Sequence, residues 1–420
     1  MARAMKDSGI DWLGEIPADW EIGRIGHLYT ERKEKVSDID FPPLSVTMKG
    51  ILPQLSTAAK SDAHDDRKLV CKGDFAINSR SDRRGSCGIS SYDGSVSLIN
   101  IILTPLKEMH PVYYDWLFHS TMFADEFYKW GHGIVDDLWT TNWQDMKKIS
   151  VPMPPLDEQQ RIANFLDGEC ARIDSVVAKT RASVEEYKKL KQSLITRAVT
   201  KGIRPNRPTK DSGVEWIGDI PADWEIHQLK NNFRIYSGAT PKSEIAENWD
   251  GNIVWITPAD YKTADKYVSQ GKRNISEIGY NSCGTTLVPS GSIIFSKRAP
   301  IGTVAITKTE LCTNQGCLSC VPKVNANSDY CYYVMSAFTE QFNLFGTGTT
   351  FKEISYNDFR SFKVPFPPLD EQKEIAAYLD EKTAAIDSLI AKKNQLVTEL
   401  ESLKKSLIFE YVTGKKEVAT

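Results

Sequence analysis

The stretch Val151-Pro-Met-Pro-Pro-Leu-Asp-Glu-Gln159 returns almost unchanged as Val364-Pro-Phe-Pro-Pro-Leu-Asp-Glu-Gln372. In both copies a long helical pattern follows the prolines. Proline is tolerated at the start of a helix, and the Asp-Glu pair suits the positive N-terminal end of the helix dipole. Each copy therefore predicts the point where a globular segment ends and a long helix begins, with the Asp-Glu pair as helix-start residues.

A second block is repeated as well. Residues 6–22 read Lys-Asp-Ser-Gly-Ile-Asp-Trp-Leu-Gly-Glu-Ile-Pro-Ala-Asp-Trp-Glu-Ile, and residues 210–226 repeat them with four conservative differences. Two blocks that recur in the same order indicate an internal repeat. We therefore expect two copies of one unit, at about 1–200 and about 205–420.

Between the repeated blocks each unit contains a body, and the two bodies differ strongly in sequence. Apolar and alternating runs predict strands at 74–78, 96–103, 253–257, 292–295, 303–306 and 318–321. Apolar residues at helical spacing predict one helix over 111–130 and another over 328–345. Each body is expected to be a mixed α+β domain, so the predicted class of the whole chain is α+β.

The two long helical runs show apolar residues at alternating spacings of three and four. A helix with one apolar stripe must bury that stripe against a partner, and the nearest partner is the other run. Because the Pro-rich link over 201–210 is short, we expect the two helices to be antiparallel and related by a pseudo-two-fold axis. The predicted seam consists of Ile173, Val176, Tyr187, Leu190, Leu194, Ile386, Leu389, Leu396, Leu400, Leu403 and Leu407.

Composition is that of a soluble globular protein, with 41% hydrophobic and 25% charged residues. The first residues lack the apolar core of a signal peptide, and no apolar run reaches membrane-helix length, so a cytoplasmic location is expected. The net charge of −3 argues mildly against nucleic acid as a partner, unless the basic residues gather on one face.

No catalytic motif is recognisable. The chain has no phosphate-binding Gly-rich loop ending in Lys-Ser/Thr, no His-x-x-x-His and no Gly-x-Ser-x-Gly elbow. Metal ligands could come from the spacing Cys312-x4-Cys317-x2-Cys320 or from acidic clusters at 62–66 and 136–137. Packed thiols and solvated loops explain these residues better, so neither a catalytic residue nor a metal site is predicted.

Two basic loops are candidates for DNA contact. Each follows a predicted strand and contains Ser and Gly beside guanidinium or ammonium groups, which can bind phosphates or guanine edges. Amides in a third loop can read adenine edges. An exposed charged loop or a plain turn explains each of them as well. Two Gly-rich loops, at 131–133 and 346–350, form a matching pair. The candidate residues are Arg80, Arg83, Arg84, Lys297, Arg298, Asn314 and Gln315.

The two repeated blocks and the two long helices together resemble the specificity (S) subunits of type I restriction–modification enzymes, over the whole length of the chain. The resemblance implies target recognition domains at 1–155 and 214–368 and spacer helices at 156–200 and 369–413. It also implies a linker at 201–213 and a C-terminal tail at 414–420.

In such a protein each recognition domain reads one half of a split, asymmetric DNA target. The helices set the spacer and dock two modification subunits, which use S-adenosylmethionine to methylate adenine. Restriction subunits add ATP- and Mg²⁺-dependent translocation and cleavage. The chain itself would carry no activity and no cofactor. Two other hypotheses remain open: a scaffold that binds only protein, and a nuclease or methyltransferase with an unrecognised active site.

Overall fold

The structure is a computed structural model, and it describes residues 3–54, 65–134, 139–262, 265–348 and 352–418. The chain divides into two compact units. Unit 1 comprises Met1–Arg181 and Asn394–Thr420, and unit 2 comprises Ala182–Lys393. Each unit therefore contains one body together with parts of both long helices.

Unit 1 is built mainly from short strands that form two sheets in its body. Its strands are β1 Met5–Asp7, β2 Glu15–Pro17, β3 Glu21–Arg24, β4 Tyr29–Glu31, β5 Lys35–Val36, β6 Leu44–Thr47, β7 Gly50–Pro53, β8 Arg67–Val70, β9 Phe75–Asn78, β10 Cys87–Ile89, β11 Gly94–Val96, β12 Asn100–Pro105 and β13 Ser150–Met153. One sheet has the order β10-β9-β12-β4 and another the order β11-β8-β5. The further pairs β1-β2, β6-β7 and β13-β3 complete the unit, and all of these pairings are antiparallel.

Unit 2 repeats this plan. Its strands are β14 Thr209–Asp211, β15 Asp219–Pro221, β16 Glu225–Gln228, β17 Phe233–Ser237, β18 Trp249–Ile256, β19 Tyr267–Val268, β20 Arg273–Ile275, β21 Ile293–Ser296, β22 Val304–Thr307, β23 Cys312–Thr313, β24 Cys317–Pro322 and β25 Lys363–Phe366. The main sheet has the order β17-β24-β21-β22-β19, and a second has the order β20-β18-β23. In both units the strand just before the Pro-Pro-Leu-Asp-Glu-Gln block pairs with the end of the other repeated block, as β13-β3 and as β25-β16.

The helices are α1 Ile25–Leu28, α2 Pro111–His119, α3 Thr121–Lys129, α4 Trp143–Met146, α5 Leu156–Lys201, α6 Leu229–Asn232, α7 Glu277–Ser282, α8 Ser328–Ala337, α9 Thr339–Phe345, α10 Tyr356–Ser361 and α11 Leu369–Val412. The single helices expected over 111–130 and 328–345 are each two helices. Between α2 and α3 the chain breaks at Ser120, whose hydroxyl accepts a hydrogen bond from the backbone N–H of Phe123 and so starts a new helix.

The long helices α5 and α11 pack antiparallel within each unit. In unit 1, Asp174 pairs with Lys404 at 2.6 Å, and Arg181 pairs with Glu401. Arg181 follows Asp174 along α5 whereas Glu401 precedes Lys404 along α11, so the two helices run in opposite directions. In unit 2, Lys191 pairs with Asp387 at 2.6 Å. The predicted mixed α+β class with two long antiparallel helices is confirmed.

The seam between the helices differs from the predicted one at every second position. Burial follows a shared seven-residue frame, in which Ile173 and Ile386 are buried. After each of these two isoleucines, the next side chain that faces the partner helix is four residues along the chain, and not three as predicted. The alternate seam positions are therefore shifted by one residue from the predicted ones. Val176, Leu190, Leu389, Leu396 and Leu403 are therefore exposed, by 41%, 54%, 42%, 42% and 52%. Their places in the seam are taken by Val177, Lys191, Ile390, Val397 and Lys404.

The remaining predicted seam residues are neither fully buried nor exposed. Tyr187, Leu194, Leu400 and Leu407 are half-buried. Leu400 packs against a small cluster of Ile173, Val177 and Val397 in unit 1. Leu194 packs against the core of unit 2, and Leu407 against the core of unit 1.

Candidate nucleic-acid interface

A buried glutamate holds the start of the long helix to the N-terminal block in unit 1. Glu158 Oε2 accepts a hydrogen bond of 2.8 Å from the Trp20 indole N–H and one of 2.9 Å from Arg3. Arg3 also donates to Asp19 at 2.9 Å. The next residue, Gln159, accepts from the backbone N–H of His110, the N-cap of α2. We call Arg3, Asp19, Trp20 and Glu158 the glutamate cluster of unit 1.

Unit 2 contains the same arrangement. Glu371 Oε2 accepts from the Trp224 indole N–H at 3.0 Å, and Arg207 donates both to Glu371 and, at 2.7 Å, to Asp223. Gln372 accepts from the N-cap of α8 in the way that Gln159 does in unit 1. Arg207, Asp223, Trp224 and Glu371 form the glutamate cluster of unit 2.

These clusters correct the helix-start role expected for both acidic residues of each block. Asp157 and Asp370 are exposed in the first helical turn, as that role requires. Glu158 and Glu371 are buried instead and join two repeated blocks that are distant in sequence. A buried carboxylate is tolerable only when it is paired and hydrogen-bonded, which explains why both an arginine and a tryptophan accompany it. The repeated motif thus positions the body on the helix.

The basic loop of body one leaves the main sheet at the end of β9. Arg80 is exposed, and the described residues offer its guanidinium no ion pair or hydrogen bond. Ser81–Arg83 forms one 3-10 turn, and Arg83 lies 3.5 Å from Asp82. Arg84 pairs with Asp125 and lies 4.8 Å from the centre of the Tyr128 ring. Among the residues that the structure describes, two of the three arginines have no partner across the body.

The basic loop of body two leaves its main sheet at the matching place, the end of β21. Here an acidic residue faces both cations: Glu353 lies 2.7 Å from Lys297 and 3.6 Å from Arg298. The Lys297 side chain is 15% exposed. This loop consequently carries much less free positive charge than the loop of body one.

Both basic loops are bridged to the segment that carries the Gly-rich loop. Arg80 forms a backbone bridge with Thr140, which also bridges to His132. In body two Arg298 bridges to Glu353, which also bridges to Thr347. The matching Gly-rich loops expected from the sequence thus lie beside the basic loops, although Thr349 and Thr350 lie outside the described residues.

The amide loop of body two lies beside its basic loop, because the backbone N–H of Lys297 donates to the carbonyl of Gly316 at 3.0 Å. Asn314 Oδ1 accepts from the Gly316 N–H at 2.9 Å, which shapes a tight turn. Gln315 is exposed, and its amide oxygen accepts from the Thr240 hydroxyl. The structure therefore brings Lys297, Arg298, Asn314 and Gln315 to one edge of the sheet.

Body one has apolar side chains at the corresponding place, which the sequence analysis missed. The backbone N–H of Ser79 donates to the carbonyl of Ile99 at 3.2 Å, as Lys297 does to Gly316. Leu98 and Ile99 are each 37% exposed. Within the predicted strand 96–103 they looked like core residues. Only the ends of β11 and β12 show that they belong to a connecting loop.

The three clustered cysteines do not form an open ligand set. Cys312, Cys317 and Cys320 are buried in β23 and β24, and burial raises the pKa of Cys312 and of Cys317 to about 12. Over the described ranges, no three or more His, Cys, Asp or Glu side chains are grouped as metal ligands are. Asp62, His64, Asp136 and Asp137 lie outside those ranges. Within the described part of the chain, no helix has both the length and the apolar content to cross a membrane.

Comparison with known proteins agrees with this architecture. A family profile described as "Type I restriction modification DNA specificity domain" matches residues 221–399. The type I restriction enzyme MjaIX specificity subunit of Methanocaldococcus jannaschii is 37% identical over 190 residues, which are 44% of this chain and 43% of that protein. A putative type I restriction enzyme specificity subunit, MjaX, of the same organism is 26% identical over 97% of this chain and 96% of its own length.

Solved structures share the fold. A chain from a structural study of assembly and conformational transition of the type I R-M system has a TM-score of 0.76 at 17% identity, covering 96% of this chain and 99% of that one. The HsdS subunit of Thermoanaerobacter tengcongensis has a TM-score of 0.55 at 17% identity, with coverage of 96% and 98%. The specificity-domain match over residues 221–399 and these relatives agree with one another, and the chain is similar to specificity subunits of type I restriction–modification enzymes.

Proposed function

We propose that this chain is the non-catalytic DNA-recognition subunit of a type I restriction–modification complex, in which each body reads one half of a split target. The observation that carries the proposal is the repeated placement of a basic loop. In both bodies it leaves the main sheet at the same strand end and is bridged to a Gly-rich segment. Guanidinium and ammonium groups on such loops bind phosphates and guanine edges.

The loops beside the basic loops support unlike half-sites. Body two presents Asn314 and Gln315, whose amides can pair with adenine edges in the major groove. Body one presents Leu98 and Ile99, which suit the methyl group of thymine. A scaffold that binds only protein has no need of basic loops at matching sheet edges, so DNA recognition is the better reading.

The long helices set the unread spacer and dock the partner subunits. Leu389, Leu396 and Leu403 are exposed at seven-residue intervals on α11, and such regular exposed apolar residues favour a covered surface. The partners are two modification subunits, which bring S-adenosylmethionine for adenine methylation. Restriction subunits supply the ATP- and Mg²⁺-dependent steps.

Methylation mapping tests the proposal. The chain is co-expressed with the modification subunit of its own operon, and methylated adenines are mapped across plasmid DNA. A split target with two unlike halves is the expected result. Methylation without sequence preference, or at a single continuous site, contradicts two-body reading. The purified chain alone, given DNA, Mg²⁺ and S-adenosylmethionine, should neither cleave nor methylate DNA, and turnover there would favour an unrecognised active site.

Insertion of one heptad into both α5 and α11 tests the spacer. Seven residues add about 10 Å of helix. The spacer should therefore lengthen by about three base pairs at about 3.4 Å each. An unchanged spacer in an assembled, active complex would show that the helices do not set it.

A further inference from the structure

Unit 2 contains a basic cleft at the C-terminal end of α5. Its volume is about 380 Å³, and it is open to solvent. The walls are the last turns of α5, the linker that follows and Tyr378 on α11. Four basic side chains line it, and none of the described lining residues is acidic: Arg197, Lys201, Arg204 and Arg207. The cleft is large enough for a compound the size of a nucleotide.

The positive charge of this cleft is only partly neutralised. Arg204 pairs with Glu374 at 2.6 Å, and Arg207 belongs to the glutamate cluster of unit 2. Lys201 donates to a backbone carbonyl, that of Asp219, and has no carboxylate partner among the described residues. Among the described residues the exposed Arg197 has neither a hydrogen bond nor an ion pair. Two cations are therefore available to an anion that enters the cleft.

The surrounding sequence concentrates positive charge. Residues 187–210 contain eight Lys and Arg residues and no Asp or Glu, although the whole chain has a net charge of −3. A local excess of this kind raises the concentration of anions near the surface and favours their binding.

The corresponding place in unit 1 is filled and has an acidic residue where unit 2 has Arg197. The repeat aligns Arg197 with Glu410, Ala198 with Tyr411 and Tyr378 with Phe165. In unit 1 the rings of Phe165 and Tyr411 are in contact, with centroids 4.4 Å apart. In unit 2 the small Ala198 leaves the matching space beside Tyr378 open. The differences between the copies at Arg197 and Ala198 thus contribute to the charge and to the open space of the cleft.

Complementing the negative end of the helix dipole accounts for only part of this charge. Basic residues are favourable in the last turn of any helix. The equivalent end of α11 nevertheless has Glu410, which pairs with Lys416 at 2.7 Å. Helix-end stabilisation also gives no reason for an alanine that opens a cleft, whereas ligand binding requires both the charge and the space.

We propose that this cleft binds a phosphorylated small molecule, with its phosphates on Arg197 and Lys201. Arginine and lysine are suited to phosphate oxygens, and Arg204 at the rim can exchange Glu374 for a ligand phosphate. The phosphates can belong to a free polyphosphate or to a nucleotide, whose base would then lie against the Tyr378 ring. The proposal goes beyond DNA recognition and does not depend on it.

Calorimetric titration of the full-length chain tests the cleft. The probes are tripolyphosphate, ATP and a short DNA duplex. Tripolyphosphate and ATP should each bind at one site per chain. Arg197→Glu, which copies the residue of unit 1, should weaken both by about tenfold or more through the lost charge-assisted hydrogen bonds. Tighter binding of ATP than of tripolyphosphate identifies a nucleotide site, and equal binding identifies a polyphosphate site.

Two further variants separate the cleft from general charge and from folding. Lys188→Glu makes the same charge change in the same basic segment, outside the lining of the cleft, and should leave binding within about twofold because the interaction is local. Ala198→Tyr fills the space without changing charge and should weaken binding at least as much as Arg197→Glu does, while circular dichroism verifies the fold of each variant.

The proposal is overturned if neither tripolyphosphate nor ATP binds, or if Lys188→Glu weakens binding as much as Arg197→Glu does. It is also overturned if only the duplex loses affinity in Arg197→Glu, because the cleft would then contact DNA phosphates. None of these results depends on whether the two bodies read DNA.

Discussion

The two bodies share a scaffold and differ in the loops that the scaffold presents. In both, a basic loop follows one strand of the main sheet and a second loop precedes the neighbouring strand. Body one combines an exposed Arg80 with Leu98 and Ile99. Body two combines cations paired to Glu353 with Gln315. The comparison shows that strand register fixes where these loops lie, while the exposed residues of the loops differ in chemistry between the bodies.

Unlike these loops, the glutamate clusters are the same in the two units. Arg3, Trp20 and Glu158 in unit 1 have the same partners as Arg207, Trp224 and Glu371 in unit 2. In both clusters the tryptophan and the glutamate are buried and hold a body to a helix, so these partners constrain one another. Loops that face solvent have no such constraint, which allows the bodies to diverge in chemistry while the frame does not.

Exchange of one body gives the largest expected effect. Replacing residues 20–150 by those of a relative with a different target should change one half-site completely and leave the other half-site and the spacer unaltered. The physical reason is that the contacts of body two come from loops of unit 2 alone. Methylation mapping of the hybrid complex measures this. A change in both halves would break the assignment of one body to one half.

Removal of a buried glutamate should have a large and equal effect in the two units. Glu158→Ala or Glu371→Ala leaves a buried indole N–H without its acceptor and a partly buried arginine with only an exposed aspartate as its partner, and should lower the free energy of unfolding by about 3 kcal/mol in the affected unit. Urea unfolding followed by tryptophan fluorescence measures the change. The neighbouring Asp157→Ala and Asp370→Ala, at exposed helix starts, should cost less than about 1 kcal/mol. Unequal effects of the two glutamates would show that the clusters are not equivalent.

Substitutions in the loops beside the basic loops test whether the two bodies recognise bases by different chemistry. Gln315→Ala should reduce discrimination at one position of its half-site by about 1–3 kcal/mol, the value of one well-placed amide contact. Leu98→Ala should have a smaller effect, because contact with a methyl group is weaker than a bidentate hydrogen bond. Methylation rates on targets with single base changes measure both. Equal relaxation of all positions would mean that these residues contact only the backbone.

The smallest expected effect is a difference between the two basic loops in their contribution to the salt dependence of DNA binding. Arg80→Ala should weaken DNA binding for all sequences alike and reduce the slope of log affinity against log salt by about 1, as loss of one phosphate contact does. Arg298→Ala should change the slope less, since Glu353 already neutralises part of its charge. Binding of the assembled complex at several salt concentrations tests this. In a Glu353→Gln background, Arg298→Ala should change the slope by an amount closer to that of Arg80→Ala.

Much of the fold could be predicted because it depends on patterns that are local or repeated. The strands at 293–296 and 317–322 and the starts of both long helices follow from apolar runs and from proline. The predicted seam is wrong at alternate positions because the leucines at 389, 396 and 403 have the same periodicity as the residues that are buried. Periodicity alone cannot tell which of two adjacent stripes faces the partner helix.

The candidate site could be predicted only in its basic half. Arg80 and Arg298 were identifiable because charged residues with Ser and Gly after a strand are a local signal. Leu98 and Ile99 were not, because in the sequence they continue an apolar run, and only the strand ends expose them. The pairing of Glu353 with Lys297 joins residues far apart in sequence, which no local pattern reveals.

The sequence by itself determined that the chain is a repeat, because two copies of two blocks in the same order leave no other reading, and it determined where the long helices begin. Only the tertiary structure decided the role of Glu158 and Glu371, since a carboxylate in a first helical turn looks like a helix-start residue until its arginine and tryptophan partners are seen. Burial and long-range pairing depend on residues distant along the chain. The repeated block is therefore a structural joint between body and helix, and the loops that we propose for DNA recognition lie in the bodies that this joint positions.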